Sequence, residues 1–273
     1  MALGQRQSVL LTNDDGYDAP GIRELCKKLQ EFCDVIMIAP SKEHSGFAAA
    51  ITLGRPLKYE KVEEHIYKVD GTPADCVHMG IRHILDKKPD MVVSGINRGP
   101  NLGDDTLFSG TVGSANIGYL EGIPSIAVSM GDFGEPMRYD SASIIVKNIM
   151  ESQGFSNVIK GRVLNINVPN LPLAEIKGMR LTRLSKRRYP DYFEEDRRGP
   201  EYGYWYPRGP VSHDQLEDGD AVAVEQGYVA LTFIRPDYLD QGWAKGQHEW
   251  EIPQIQGDIA QCGASEVSSS SVT

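Results

Sequence analysis

This sequence lacks the features that would place it at once in a specialised class of protein. Only four of its 273 residues are cysteine, and no two of them have the spacing of a zinc site or a redox motif. No run of about 18 apolar residues occurs, which argues against a membrane-spanning helix. The first residues contain no apolar segment typical of a signal peptide, so we expect a cytoplasmic protein.

Positive charge is also in the minority. Lysine and arginine number 28 against 38 aspartates and glutamates, which gives a net charge of −10. Such a chain repels nucleic-acid backbones and anionic membranes, so we expect neither of them as a partner. An anionic substrate would therefore need a local device, such as a metal ion or the N-terminus of a helix.

Three motifs of nucleotide-binding proteins and hydrolases are absent from the sequence. There is no Gly-x-x-x-x-Gly-Lys-Ser/Thr loop, and no Gly-x-Gly-x-x-Gly follows the first apolar run, so neither a P-loop nor a dinucleotide fold is supported. The Gly-x-Ser-x-Gly motif of serine hydrolases is missing as well. The six histidines show no paired spacing of metal ligands.

What the sequence does contain is an alternation of short apolar runs and helical patterns over its first 130 residues. Strands separated by helices predict an α/β fold with a mostly parallel sheet. Ligands bind such sheets beyond the carboxyl ends of the strands, so the residues that follow each strand are the candidates for chemistry. The predicted strands are 8–13, 34–39, 66–69, 90–96 and 125–130, with helices from about 20, from 72 and over 109–120.

The pattern loosens after residue 150, where strands are predicted over 161–168, 179–184 and 227–234. We predict an α/β core over 1 to about 185, which the chain rejoins near 225–235, an extended C-terminal part over about 186–260, and a disordered tail over 263–273. Seven aromatic residues in 186–210 favour an oligomer interface, the alternative being a self-packed surface loop.

Two adjacent carboxylates follow the first predicted strand. Asp14 and Asp15 bring like charges together, which is costly unless a cation compensates them. A hard divalent ion with oxygen ligands is the natural compensation. The alternative is a polar turn, since Asn, Asp and Gly favour turns. The position at the end of a strand favours the metal site.

Two further polar segments follow the second and fourth strands. The amide oxygen of Asn97 is a neutral hard ligand, although the segment around it also has the composition of a surface loop. Arg98 would either hold a phosphate or pair with Asp104 or Asp105. Ser45 follows the second strand, and its residue pattern leaves a nucleophile and a metal ligand open.

The helix predicted from Ser109 begins with small residues. Its first-turn N–H groups lack partners within the helix, the hydroxyls of Ser109 and Thr111 add donors, and Gly110 allows a phosphate to approach the backbone. The alternative is an ordinary capped helix that packs closely through its small residues.

Five segments with these residues occur in one order: Thr12–Gly16 with Ala19–Ile22, Ser45–Gly46, Gly71–Val77, Ser94–Asn97 and Ser109–Gly113. Together they resemble the SurE family of metal-dependent 5′-nucleotidases, also described as survival-protein phosphatases. The resemblance runs from about residue 8 to 234 and includes later signatures at 167–170 and 227–229. The combination is specific, whereas any single motif would be a weak signal.

This resemblance implies a Rossmann-like three-layer core that hydrolyses nucleoside 5′-monophosphates with one divalent cation per subunit, Mg²⁺ or Mn²⁺. The family's metal-ligand positions fall on Asp14, Asp15, Ser45 and Asn97, and its phosphate-binding segment falls on Ser109, Gly110 and Thr111. We therefore expect Asp14, Asp15 and Asn97 to be catalytic, with Arg98 helping to bind the phosphate. The family's exchanged C-terminal arms imply a homodimer or homotetramer.

Other functions remain open at this point. They are a broader phosphatase or exopolyphosphatase at the same site, and a catalytically silent nucleotide-binding module. A phosphatase that uses Asp14 as its nucleophile is disfavoured, because such enzymes place the second aspartate two residues further on. The proton donor to the leaving group could be His213, Asp15 or solvent. The plain stretch 47–50 lies on a predicted flap over the site and leaves the preferred nucleotide unassigned.

Overall fold

The computed structural model describes residues 6–189, 194–196, 203–205 and 211–236. The tail predicted at 263–273 and most of the aromatic segment at 186–210 lie outside these residues. The domain boundaries and the oligomer interface therefore stay predictions. None of the helices within the described ranges is long and apolar enough to cross a membrane.

A nine-stranded sheet forms the centre of the fold. The described residues form 13 strands, of which nine belong to this sheet. They are β1 Gln7–Thr12, β2 Cys33–Pro40, β3 Tyr59–Glu63, β4 Ile66–Val69, β5 Met91–Asn97, β6 Ser125–Met130, β7 Val163–Val168, β8 Met179–Leu181, β9 Arg187–Arg188, β10 Glu194–Asp196, β11 Gly203–Trp205, β12 Ser212–His213 and β13 Val229–Ile234. The sheet has the order β3-β4-β2-β1-β5-β6-β7-β13-β8. The six strands from β4 to β7 run parallel, whereas β3 and β13 are antiparallel to β4 and β7. Two small antiparallel pairs, β9–β12 and β10–β11, complete the strands.

Helices cover both faces of this sheet and make a three-layer fold. Along β1, Val9 and Leu11 enter one apolar cluster with Ile22, whereas Leu10 enters a second cluster with Ala74 on the opposite face. Burial on both faces explains why the parallel strands are apolar without alternation. The helices are α1 Pro20–Leu29, α2 Pro73–Met79, α3 Gly110–Leu120, α4 Tyr139–Glu151, α5 Phe155–Val158 and α6 Asp220–Glu225.

The α/β fold with a mostly parallel sheet is confirmed, and so is the predicted start of α2. The Thr72 hydroxyl accepts from the Asp75 N–H at 3.1 Å, the Asp75 carboxylate accepts from the Thr72 N–H at 2.9 Å, and Pro73 takes the first helical position. Two of these contacts form the capping box, which satisfies donors at the helix start.

Several elements differ from the sequence prediction. The strand expected over 179–184 ends at Leu181. The Thr182 N–H still donates to Leu231, but from Arg183 the chain bonds to Asp218 and Gly219 instead of the sheet. The edge strand β3 and the helix α4 were not predicted from the sequence. The strand β3 is largely exposed and has no apolar alternation that would reveal it.

Candidate active site

The carboxyl ends of three neighbouring strands carry the predicted site. Thr12 at the end of β1 pairs with Ser94 of β5, and β2 lies on the other side of β1. The segments that follow these strands therefore meet at one edge of the sheet. The backbone N–H of His44 donates to the Asp14 carbonyl oxygen at 2.7 Å, which joins the segment after β2 to the segment after β1.

The start of α3 packs directly on Asp14. A Cβ atom placed on Gly110 would lie 2.9 Å from the Asp14 Oδ2, so a side chain at position 110 would displace the carboxylate. Thr111, which is fully buried, donates its hydroxyl hydrogen to Asp14 Oδ1. Ser109 caps the helix by accepting from the Val112 N–H at 3.1 Å. Glycine at position 110 is therefore required by the close approach of helix and carboxylate.

Asp14 is buried, with 3% of its surface exposed. Burial raises the pKa of the Asp14 carboxyl, and the hydrogen bond from Thr111 only partly opposes that rise. Burial also raises the pKa of Asp15 to about 6, aided by the charges of Asp14 and Glu43. The backbone N–H of Arg98 donates to Asp15 Oδ2 at 3.1 Å and works in the opposite direction. Ionisation of both carboxyls is therefore disfavoured unless positive charge is brought close to them.

Asn97 is the last residue of β5 and is half-buried beside this pair. Its side-chain nitrogen donates to the Gly99 carbonyl at 3.0 Å, which fixes the orientation of the amide. Within the described residues, the Asn97 Oδ1 accepts no hydrogen bond. This oxygen is therefore available to a ligand.

Ser45 is exposed, and its hydroxyl donates to Glu43 Oε1 at 2.9 Å. The structure thus brings a third carboxylate, Glu43, to the site, and sequence reasoning missed it. The sequence does place an acidic residue two positions before Ser45. Acidic residues in loops are usually solvated, however, so this spacing alone does not predict a site residue. Among the described residues, no three His, Cys, Asp or Glu side chains are grouped as a metal cluster. Any cation site here depends on hydroxyl and amide oxygens as well as carboxylates.

Arg98 does not pair with Asp104 or Asp105, so that alternative is wrong. The Arg98 guanidinium donates to Glu135 Oε1 at 2.7 Å, on the loop that follows β6. The two aspartates are already satisfied by other groups: Asp104 pairs with Lys186 at 3.0 Å and Asp105 with Arg187 at 2.9 Å. The exposed Arg98–Glu135 pair is of the kind that contributes little to stability.

A group of three asparagines holds the loop between Asn97 and α3, and we call it the asparagine clamp: Asn101, Asn165 and Asn167. Asn167, fully buried on β7, accepts from the Asn101 N–H at 2.9 Å and donates to the Asn101 carbonyl at 3.0 Å. Asn165 donates to the same carbonyl at 2.8 Å. Sequence reasoning missed this role, because the partners lie more than 60 residues apart.

His213 has both ring nitrogens occupied elsewhere. Nδ1 lies 2.7 Å from the Asp214 carbonyl oxygen and Nε2 lies 2.6 Å from Glu225 Oε1. Burial lowers the pKa of His213, but these two acceptors outweigh it and the net direction is upward. Within the described residues His213 makes no contact with the aspartate pair, so the structure gives it no part in this site.

Fold and site together define a three-layer α/β protein with a buried aspartate pair at the carboxyl ends of its parallel strands. The family described as Survival protein SurE matches residues 9–191. This chain belongs to the SurE family, as its motifs predicted.

Curated relatives match nearly their full length. The 5′-nucleotidase SurE of Thermosipho melanesiensis is 44% identical over 248 residues, which are 89% of this chain and 96% of the relative. The 5′/3′-nucleotidase SurE of Yersinia enterocolitica is 40% identical over 245 residues, with the same coverage of both chains. The crystal structure of the SurE protein from Aquifex aeolicus superimposes with a TM-score of 0.77 at 39% identity, over 88% of this chain and 97% of that one.

Proposed function

We propose that this protein is a metal-dependent 5′-nucleotidase that hydrolyses nucleoside 5′-monophosphates to a nucleoside and inorganic phosphate. The buried Asp14–Asp15 pair beside the start of α3 carries the proposal, in a chain whose relatives are named 5′-nucleotidase SurE. The name of the Yersinia relative makes 3′-nucleotides a second class of substrate to test.

The donor set fits a hard divalent cation. Within the described residues neither Asp14 nor Asp15 forms an ion pair, and Glu43 adds to the negative charge around them. Carboxylate, hydroxyl and amide oxygens are the ligands that Mg²⁺ and Mn²⁺ prefer. We assign Asp14, Asp15, Ser45 and Asn97 as the residues that would hold one such ion per subunit. When bound, the ion would supply positive charge to the phosphoryl oxygens and activate water for attack.

The chain's own groups then position the substrate. Ser109 and Gly110 present the start of α3, where backbone N–H groups and the helix dipole favour an anion. Thr111 directs its hydroxyl and its backbone hydrogen bond to Asp14, so it takes part in the proposed phosphate site by orienting that carboxylate beside Ser109 and Gly110. Arg98 can turn from the exposed Glu135 contact to the phosphate. With His213 engaged elsewhere, Asp15 and solvent are left as proton donors to the leaving oxygen.

The remaining parts of the proposal concern the protein's setting. We propose a homodimer or homotetramer built by the C-terminal part, a cytoplasmic location, and no binding of nucleic-acid polymers or membranes. The net charge of −10 is the support for the last point.

Phosphate release from AMP tests the activity. Protein treated with a chelator should be inactive, and Mg²⁺ or Mn²⁺ should restore turnover. A parallel panel of 5′-monophosphates, 3′-monophosphates and polyphosphate separates a nucleotidase from a broader phosphatase. Borohydride trapping should label no aspartate, because the proposed route forms no phosphoenzyme.

Two results would contradict the proposal. Tight AMP binding without phosphate release under any metal would indicate a silent nucleotide-binding module. A borohydride-trapped phosphoaspartate at Asp14 would indicate nucleophilic catalysis by that residue.

A further inference from the structure

Two phenyl rings stand in solvent beside the candidate active site. Phe47 is 49% exposed and Phe108 is 63% exposed, whereas the large apolar side chains of the core are almost fully buried. Exposed apolar surface rimmed by polar groups is typical of a binding site. Contact with water is unfavourable for such surface, and a bound ligand removes it from water.

The segments that carry these rings are fixed to each other. The backbone N–H of Ala48 donates to the Phe108 carbonyl at 3.0 Å. A Cβ atom on Gly113 would lie only 2.3 Å from the Ala48 carbonyl oxygen, so the flap segment packs on α3 with no room for a side chain. The ring of His44 packs edge-on against Phe47, with 5.0 Å between the ring centroids. The orientation of the Phe47 ring is therefore constrained before any ligand arrives.

Both rings lie close to the place proposed for the phosphate. Phe108 stands two residues before Gly110, which contacts Asp14, and two residues span at most about 7 Å of chain. His44 beside Phe47 bonds to the Asp14 backbone. A nucleoside monophosphate places its base one sugar away from the phosphate, so a base would reach the segments beside the start of α3, and these segments carry the two rings.

We propose that Phe47 and Phe108 form a stacking platform for the nucleobase of the substrate. This inference rests on the proposed function, because only a nucleoside phosphate brings a base to this place. Every base has an aromatic face, so stacking selects for the presence of a base rather than for one base. Along the flap, Phe47 is followed by Ala48, Ala49 and Ala50, whose methyl groups offer no hydrogen bond to distinguish bases. Purines, with their larger faces, should be preferred over pyrimidines.

The test compares a substrate with a base and one without it. AMP and ribose 5-phosphate carry the same phosphorylated sugar, so their ratio of kcat/KM isolates the base. In Phe47→Leu and Phe108→Leu, kcat/KM for AMP should fall by about 5- to 150-fold, chiefly through KM, which is the range of base–aromatic stacking. The value for ribose 5-phosphate should change less than about two-fold, within the noise of distant substitutions.

Phe133→Leu is the matched control. Phe133 is 68% exposed on the loop after β6, and its ring lies over Gly99, where a Cβ atom would be 2.1 Å away, rather than over the flap. A change there would affect the two substrates alike, because both carry the same phosphorylated sugar. The Phe133→Leu substitution should leave the ratio unchanged. Equal losses on both substrates, an unchanged ratio in the platform variants, or the same loss in Phe133→Leu would each overturn the platform. So would a change of oligomeric state in light scattering with AMP preference intact, since the rings would then belong to a subunit interface.

Binding of adenosine separates this inference from the proposed function. Adenosine has no phosphate and needs no turnover, so its affinity can be measured by NMR titration even if the protein releases no phosphate. The affinity should drop in the double variant Phe47→Leu/Phe108→Leu and persist in Phe133→Leu. Equal affinity in the wild type and the double variant would refute the platform, whatever the hydrolysis assay shows.

Discussion

The chain contains two pairs of adjacent aspartates, and their surroundings differ. Asp104 and Asp105, in the turn before α3, each pair with a cationic side chain of the 186–189 segment, and Tyr189 also donates to Asp105. The buried Asp14 and the partly buried Asp15 follow β1 and receive only hydroxyl and backbone donors. The nearest guanidinium, that of Arg98, turns instead to Glu135.

This difference separates a pair that has cationic partners within the chain from a pair that has none among the described residues. The chain supplies its own cations to the first pair, so that pair ties the loop to the C-terminal part of the described chain. The second pair forms no ion pair within the described residues, and the charge of Arg98 only partly offsets the burial of Asp15. In the proposed function an external cation compensates the pair. Composition alone could not separate the two, because both read as Asp-Asp in a polar loop.

The largest expected effect is on activity. Asp15→Asn should lower kcat/KM for AMP by more than about 100-fold, since even groups that only support metal ligands are worth about 10- to 100-fold. Asp104→Asn is the matched control and should stay within about three-fold, because it removes an exposed ion pair. Steady-state kinetics at saturating Mg²⁺ give both values. Near-normal turnover of Asp15→Asn would remove the functional assignment.

The second prediction concerns the sign of the change in stability. The pKa of Asp14 is raised by burial, so its ionised form destabilises the metal-free fold at neutral pH, and Asp14→Asn should raise the melting temperature in chelator. With excess Mg²⁺ the order should reverse, since only the wild type gains binding energy. Burial raises the pKa of Asp105 as well, so Asp105→Asn relieves a similar penalty, but it also leaves the buried Arg187 without its carboxylate. We expect the loss of this ion pair to dominate, so the variant should be destabilised by about 3 kcal/mol in either condition. If both Asp14→Asn and Asp105→Asn shifted the melting temperature in the same direction in chelator, the contrast between the two aspartate pairs would be wrong.

A smaller effect is expected at Thr111. Thr111→Val keeps the shape and deletes the hydroxyl that donates to Asp14, which leaves a buried acceptor unpaired at a cost of ~1–3 kcal/mol, or about 5- to 150-fold in kcat/KM. Thr111→Ser should recover most of that loss. Vanadate should inhibit the valine variant more weakly. Unchanged kinetics and unchanged vanadate inhibition would show that the Thr111 hydroxyl contributes neither to catalysis nor to phosphate binding.

The smallest effect is expected at His213. Its pKa is raised in the folded protein, so the charged imidazolium stabilises the fold below the unfolded pKa of about 6.5, and that stabilisation is lost as the pH rises through the folded value. The wild type should therefore exceed His213→Gln in urea-unfolding free energy at pH 6 and equal it at pH 9. Activity should be unaffected. A large loss of kcat in His213→Gln would restore this residue as the proton donor.

The sequence predicted those elements whose signal is local. The apolar run of β1 predicted where Asp14 would lie, and Thr72 with Asp75 predicted the start of α2. The helix α4 has a readable pattern too, with Ala142, Ile145 and Ile149 buried on one face, and it was missed although its spacing is helical.

The rest depends on contacts that span long stretches of chain. No local pattern indicates that Asn167 holds Asn101, or that Arg98 turns to Glu135. The electrostatic state of Asp15 likewise depends on how deeply β1 is buried and on the approach of Glu43, which only the folded chain provides. The identities of the candidate ligands were therefore predictable, but their environment was not.

The asparagine clamp has a consequence for the timing of backbone opening. The Asn101 N–H is held by a buried side chain of β7, and the Gly103 N–H donates to Asp220 of α6 at 2.8 Å. These two amides can exchange their hydrogens with solvent only when the hydrogen bonds to β7 or α6 break. In hydrogen-exchange experiments the amides of Asn101 and Gly103 should therefore exchange as slowly as those of the sheet, although they lie in a connecting loop.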